Sequence, residues 1–387
     1  MQYLESHPWI TFNLDLTQAD YRFWMSLGEI QSKCKHISGA PLLPEVAEHL
    51  YQIFLAKGVL ATTAIEGNTL SEEEVLRRIN GQRDLPQSKE YLGQEVDNII
   101  KACNEIGHRV LQGECSRYSV QDIQNYNAAV LDQLPLDDEV VPGEIRAYSV
   151  GVGRYKGAPA EDCEYLLEKL CSWLNDEFRA PDANFEIAFG VLKAVIIHVY
   201  LAWIHPFGDG NGRTARLLEF QTLLSVGVPA TAAHLLSNHY NQTRAEYYRQ
   251  LDATSKSNNG LMSFILYALQ GFLDGLAEQI TMIRSQQLYV HWINYVHKSF
   301  GKKPTATDRR RRDLVLALSS QQEPVPTGDI RYVSPEIAEA YAQKTDRTVK
   351  GDLKKLVDMG LILRTPNGNI VNRQLMVAFL PPTRYSD

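Results

Sequence analysis

The chain has 387 residues, 44% hydrophobic and 22% charged, with 25 glycines and 17 prolines. That composition buries enough apolar surface to offset chain entropy, excludes wholesale disorder, collagen-like and low-complexity readings, and allows two or three domains of roughly 150 residues. The net charge of −7 argues against a globally basic nucleic-acid coat. From Phe300 onward, however, 15 lysines and arginines face 10 acidic residues, a local charge of +5 that leaves −12 on the preceding 299 residues. A basic tail on an acidic body suggests different partners for the two parts.

Five scattered cysteines with no CxxC spacing form neither a disulfide framework nor a zinc ribbon and fit a reducing compartment. The first residues, MQYLESHPWITFNLDL, lack a basic stretch followed by an apolar run, so no signal peptide is expected. The apolar stretch from Val191 to Ile204 contains Lys193 and His198 and is too short to span a bilayer. The expectation is a cytoplasmic protein with no membrane partner.

Apolar residues recur mostly at helical spacing. Residues 43–66 read as one or two helices, ended by Glu66-Gly67-Asn68, and Ser71 with Glu72, Glu73 and Glu74 offers the next N-cap and acidic first turn. Helices are expected over 92–111 and 119–133. Residues 142–159, with Tyr148, Val150 and Val152 alternating among small residues, read as a short hairpin. Helices resume at 161–177, 185–204, 211–226, 241–255 and 261–290. Residues 299–308 are polar and aperiodic, so a domain boundary is expected near 300. Beyond it, helices around Arg310–Ser319, Pro335–Lys344 and Asp346–Met359 precede a strand at Leu361–Leu363, a turn at Pro366–Asn369 and a strand at Gln374–Val377. That order outlines a winged helix-turn-helix or, more plainly, a small helical interaction module. Four consecutive arginines, Arg309 to Arg312, point in several directions and are expected to be a solvated helix face.

The segment His205-Pro206-Phe207-Gly208-Asp209-Gly210-Asn211-Gly212-Arg213-Thr214-Ala215-Arg216 carries the chemistry. Pro206 must end or kink the apolar helix before it, and a helix restarts near Asn211. The restart turns backbone N–H groups and a positive dipole end toward the glycine-rich loop, which makes an anion site. Arg213 and Arg216 share a helix face, and two guanidinium forks beside such a nest suit a polyphosphate. Asp209 suits Mg²⁺, which takes one or two carboxylates along with phosphate oxygens and water. His205 suits proton acceptance near neutral pH. No P-loop lysine is present, no strand precedes the glycines, and Arg213 and Thr214 occupy positions where an EF-hand needs a ligand and a glycine. A zinc site from His198 and His205 lacks a third ligand. A plain interhelical turn remains the bland alternative.

The segment resembles the Fic (filamentation induced by cAMP) family signature, HPFx(D/E)GNGRxxR, at every defined position. The likeness extends over about residues 110–290 and takes in His198 and Ile204. It also includes the stretch from Ser237 to Leu251, and residues 142–159 as a β-hairpin flap whose usual paired prolines are reduced to Ala158-Pro159. A tryptophan often found in the following helix is absent from 257–267. The resemblance implies a mainly α fold, with a Fic-type helical bundle core and short flap at 111–298. An N-terminal helical region at 1–110 and a small α/β winged-helix C-terminal domain at 299–387 would flank it. It further implies transfer of AMP from Mg-ATP to a hydroxyl of a target protein. His205 would be the general base, Asp209 the Mg²⁺ ligand, and Gly210, Asn211 and Gly212 the phosphate cradle. Arg213, Arg216 and Tyr240 would bind ATP, and Phe207 would anchor the loop. Flap residues Ser149, Val150, Gly151 and Val152, within Ser149 to Gly157, would pair with a target strand.

Thr62-Thr63-Ala64-Ile65-Glu66-Gly67 fits the family's inhibitory-helix pattern, [Ser/Thr]-x-x-x-Glu-[Gly/Asn], in a helix at about 45–67. The resemblance implies that Glu66 pairs with Arg216 and blocks productive binding of the ATP γ-phosphate. Otherwise Glu66 is a solvated residue at a helix end. Two alternatives use the same residues: removal of AMP from a modified protein by a phosphodiesterase reaction, with Glu66 positioning water, and a nucleotide-sensing DNA-binding regulator. Self-modification, DNA contact through the tail and a homodimer are the further partner expectations.

Overall fold

The structure, a computed structural model, describes residues 1–376 except Gln18, Arg83, Asp84, Ser116, Arg154, Asn258 and Asn259; the side chain of Val152 is also left undescribed. The chain divides into two compact units, Met1–Thr281 and Met282–Asp387.

The first unit is helical. It begins with α1 (Tyr3–Ser6), α2 (Tyr21–Ser38), α3 (Pro44–Ala64), α4 (Glu72–Ile79), α5 (Glu90–Leu111) and α6 (Val120–Leu131). It continues through α7 (Cys163–Ser172), α8 (Glu186–Ile204), α9 (Asn211–Ser225), α10 (Leu235–Gln242), α11 (Arg244–Thr254) and the first part of α12 (Gly260–Ser299). Pro44 presets φ in the first turn of α3, and Gly67, at φ 105°, lets the chain turn away just beyond its end. Ser71 and Glu74 form the capping box that starts α4. Long apolar runs make α8 hydrophobic on every face, and α2, α7 and α9 cover it. α8 is long and apolar enough to cross a membrane, but 83% of its apolar window is buried in the protein. All five cysteines are free and buried.

Between α6 and α7, β1 (Gly151–Val152) and β2 (Tyr155–Lys156) pair antiparallel, Gly151 opposite Lys156 and Val152 opposite Tyr155. The N-terminal segment supports this hairpin from outside. Tyr3 N–H donates to Asp162 at 2.7 Å, and the His7 ring hydrogen-bonds the Lys156 carbonyl at 2.9 Å.

The second unit contains the end of α12, α13 (Ala306–Leu318), α14 (Pro335–Tyr341), α15 (Asp346–Asp358), β3 (Ile362–Thr365) and β4 (Gly368–Val371). An extra bridge joins Val325 to Asn369. Trp292, Val296, Leu314, Leu318, Tyr341 and Leu353 form its core.

Three expectations shift here. The division falls between Thr281 and Met282 rather than near 300, because α12 runs on to Ser299 and its Trp292 and Val296 belong to the second core. The second strand of the hairpin is Gly368–Val371 and not Gln374–Val377. Residues Arg373–Met376 form a 3₁₀ turn, and Val377 lies outside the described residues. Within the arginine run, Arg310 and Arg311 are partly buried and do not form a freely solvated face. They bind the buried Asp352 carboxylate at 2.7–2.9 Å, and Tyr341 OH donates to it at 3.0 Å.

Candidate active site

α8 stops at Ile204 because Pro206 follows, and His205 takes φ 49° and ψ 59°. This left-handed geometry disfavours L residues other than glycine, so the surroundings must impose it. The loop then closes on itself. The Asn211 side chain accepts the Phe207 N–H at 3.0 Å and donates to the Phe207 carbonyl at 2.8 Å, while the Phe207 ring is buried. Gly210, at φ 76°, caps α9, and the helical ladder starts with Thr214 N–H to the Gly210 carbonyl. The N–H groups of Asn211, Gly212 and Arg213 thus precede the ladder at a positive helix end.

Two cavities of about 480 Å³ each meet at this loop, and Glu66, His205, Asn211 and Gly212 line both. The first is mainly apolar and aromatic, walled by Ile65, Tyr155, Trp203, Tyr247, Tyr248 and Leu251. It suits a flat heteroaromatic ring. The second opens between the flap, at Tyr148, Val150 and Gly151, and the acidic stretch Asp137, Asp138 and Glu139. Burial pushes the His205 imidazole down to about 4, with the Arg146 guanidinium adding to the effect. At neutral pH the ring is uncharged and able to accept a proton.

Arg216 is almost wholly buried. Its Nη2 donates to the Thr62 carbonyl at 2.9 Å and to Glu66 Oε1 at 2.5 Å, while its Nε and Nη1 find no acceptor among the described residues. Burial raises the Glu66 carboxyl pKa, but the Arg216 guanidinium, joined by Arg213, outweighs it and holds the group below its ordinary value. Glu66 is therefore ionised at neutral pH, and its ion pair with Arg216 breaks only as pH falls through that depressed value. Gly212 permits the approach, since a Cβ there would lie 2.3 Å from Glu66 Oε1. The end of α3 is also held from α11. Arg244 donates to the Ala64 and Ile65 carbonyls at 3.2 and 2.6 Å, and Tyr248 OH to the Ile65 carbonyl at 3.3 Å. Cations at a helix C-terminus are favoured by its dipole.

Arg213 is buried between two carboxylates. It donates to Glu95 at 3.0 Å and to Asp209 at 3.2 and 3.3 Å, and Asn68, two residues beyond Glu66, donates to the same Glu95 at 2.8 Å. Asp209, half exposed on the second cavity, also accepts the Gly210 N–H at 2.5 Å. Among the described residues no cluster of three or more His, Cys, Asp and Glu forms a metal cage. One open carboxylate fits Mg²⁺ arriving with phosphate oxygens and water.

Tyr240 stands apart from the other expected ligand-binding residues. It is fully buried behind Tyr247, ring centroids 4.9 Å apart, and its OH donates to the buried Glu219 at 3.0 Å. Tyr247 supplies the cavity wall instead and hydrogen-bonds His198 at 2.9 Å. In the flap, Ser149 is exposed, Val150 and Gly151 face the second cavity, and the Val152 side chain and all of Arg154 lie outside the described residues.

Sequence reasoning did not find Arg146, Asn127 or Glu95. Asn127 is buried, donates to the Asp209 carbonyl at 2.8 Å and accepts the Gly143 N–H at 2.9 Å, so it ties the loop to the flap's approach. The only basic residue in PGEIRAYSV, Arg146, was the one visible signal, since it shares that short hairpin lead with a single acidic residue, Glu144.

A family model described as the Fic/DOC family matches residues 117–223. Protein adenylyltransferase fic-1 of Caenorhabditis elegans is 29% identical over 248 residues, 64% of this chain and 45% of that protein. Protein adenylyltransferase Fic of Nematostella vectensis is 29% identical over 200 residues, 51% of this chain and 42% of its own length. The chain thus spans less than half the length of these curated relatives. Among solved structures, C. elegans Fic-1 superposes with a TM-score of 0.55 at 25% identity, covering 68% of this chain and 73% of that one. A Fic family protein from Desulfovibrio desulfuricans shares the fold over 91% of this chain and 94% of its own, at TM-score 0.57 and 21% identity.

Proposed function

We propose, for a chain that carries a Fic/DOC-family domain, transfer of AMP from ATP to a hydroxyl of a target protein. The observation that carries this reading is the place of His205, at the junction of an aromatic chamber and a mouth bordered by the flap. The adenosine would occupy the chamber, and the phosphates would lie on the first-turn N–H groups of α9. A target strand on the β1 edge would present its hydroxyl in the mouth. His205 takes the hydroxyl proton as the oxygen bonds to the α-phosphorus, and the bond to pyrophosphate breaks. Asp209 would hold Mg²⁺, which supplies charge neutralisation on the phosphates when bound. Arg213, already committed to Glu95 and Asp209, would position Asp209. Label placement tests the reaction class. Label from α-labelled ATP should remain on protein and label from γ-labelled ATP should leave with pyrophosphate; the reverse pattern would make this a phosphoryl transferase.

The resting enzyme would be self-inhibited. Glu66 occupies one N–H edge of the Arg216 guanidinium, where a terminal phosphate would otherwise bind, and presents a negative charge to that phosphate. The same carboxylate, which borders both cavities, would hold a water if the site removed AMP instead.

The second unit would be a winged helix-turn-helix that binds DNA through α15. Its buried face carries Val349, Leu353 and Leu356, and its exposed side carries Arg347, Lys350 and Lys354, three and four residues apart, with Lys355 beside them. Binding should weaken steeply with salt. Replacing Lys350, Lys354 and Lys355 by Glu should reduce the salt slope by about 0.9 for each phosphate no longer neutralised. Retention of every genomic fragment's free mobility at low salt would assign the unit to protein docking.

A further inference from the structure

We propose that Arg146 is a positioning residue that locks the base and both feet of the flap hairpin into one register, so that a strand docked on the flap meets His205 correctly aligned. The proposal rests on the reading of this site as an AMP transferase. Arg146 lies in the lead to the hairpin and is 4% exposed. Its Nε donates to the His205 carbonyl at 2.7 Å, its Nη1 to the Tyr148 carbonyl at 2.5 Å, and its Nη2 to the Ala158 carbonyl at 2.5 Å. A longer hydrogen bond of 3.4 Å reaches the Ile204 carbonyl, and the Arg146 backbone N–H donates to the Pro206 carbonyl at 3.0 Å.

The pattern assigns a task that no other side chain type performs. Tyr148 and Ala158 flank β1 and β2, so one planar fork spans the two feet of the flap and the residue that bears the base. All of these hydrogen bonds end on backbone carbonyls. A buried guanidinium without a carboxylate is costly, and here oriented carbonyl dipoles compensate its charge. The His205 backbone also needs such a restraint, because its left-handed geometry is disfavoured for a residue with a side chain. The flap foot packs directly on the base: a Cβ at Gly157 would lie 2.9 Å from the His205 Cβ. A displacement of either foot is therefore transmitted to the imidazole, and misplacement on the scale of an ångström is enough to slow a positioned reaction.

The test compares Arg146→Lys and Arg146→Met in the Glu66→Gly background. Lysine keeps the charge but has no planar fork to span three carbonyls. For Arg146→Lys, kcat for AMP transfer should fall roughly tenfold or more, the scale of one absent charge-assisted hydrogen bond, while ATP affinity stays within about twofold. Arg146→Met should transfer less still. Equal losses of ATP binding and turnover, or a Lys variant as active as its parent, would overturn the proposal. Hydrogen exchange of the otherwise wild-type Arg146→Lys chain gives a readout that does not depend on activity. The His205 and Gly157 amides should exchange roughly tenfold faster while those of α5 keep their protection. Unchanged exchange at both amides would refute the lock whatever the reaction proves to be. Faster exchange in a chain whose Glu66→Gly parent transfers no AMP would retain the lock and reject the transferase reading.

Discussion

Replacing Glu66 by Gly should raise AMP transfer by between about tenfold and about a hundredfold, the equivalent of roughly 1.4–3 kcal/mol for a charge-assisted hydrogen bond. Glu66 sits on Arg216 at 2.5 Å, and a terminal phosphate arriving there would meet a carboxylate instead of an unoccupied guanidinium. Removing the carboxylate leaves Arg216 held, among the described residues, only by the Thr62 carbonyl, with Nε and Nη1 already lacking acceptors. Arg216→Ala should not mimic this gain, because it removes the inhibitor's anchor and the phosphate's partner together. The double variant should match Arg216→Ala alone, as expected of residues acting through one interaction. Arg244→Ala should move activity in the same direction as Glu66→Gly but less far, since it frees the Ala64 carbonyl, leaves the Ile65 carbonyl to Tyr248 alone and keeps the carboxylate in place. Transfer by Glu66→Gly at the wild-type rate with every acceptor tried would make Glu66 a surface residue or the water-holding residue of an AMP-removing enzyme.

His205→Ala, made in the Glu66→Gly background, should reduce transfer by a factor on the order of 10²–10⁴, the usual worth of a positioned base, while ATP still binds. The nucleotide's expected partners are the aromatic walls of the chamber, the first turn of α9 and Arg216, which remain when the imidazole is removed. A parallel loss of ATP affinity would assign His205 to binding. The pH profile carries the sign of the same argument. Burial lowers the imidazole to about 4, so the free enzyme's base stays unprotonated well below the ordinary 6.5. The acid limb of kcat/KM should accordingly lie below pH 6.5, and a limb at or above that value would contradict a buried, uncharged base.

The residues from His205 to Arg216 were readable because their chemistry is contiguous: proline, glycines and two arginines at helical spacing describe one loop and one helix start. Glu66 was readable through its hexapeptide and through the glycine that ends α3. Arg146 and Asn127 were not, because their partners are backbone groups, which leave no pattern in residue types, and the ones that tie them to the loop lie 59 and 82 positions away. Glu95 stayed hidden for a related reason, as nothing local links it to Arg213, 118 positions on. The place of Tyr240 behind Tyr247 was not legible because the helix breaks at Thr243 between α10 and α11, so spacing cannot tell which tyrosine faces the cavity. In the second unit, arginines that read as solvated are consumed by Asp352, a carboxylate whose burial only the packed fold reveals.

The most direct test of the central claim is intact-mass spectrometry of the chain and candidate acceptors after incubation with ATP and Mg²⁺. Wild type, Glu66→Gly and Glu66→Gly/His205→Ala would be compared. Glu66→Gly should add the mass of one adenylyl group to a hydroxyl residue, wild type should add far less, and the double variant should add none. An adduct of phosphoryl mass, an adenylyl adduct that survives loss of His205, or equal labelling by wild type and Glu66→Gly would contradict a self-inhibited adenylyltransferase.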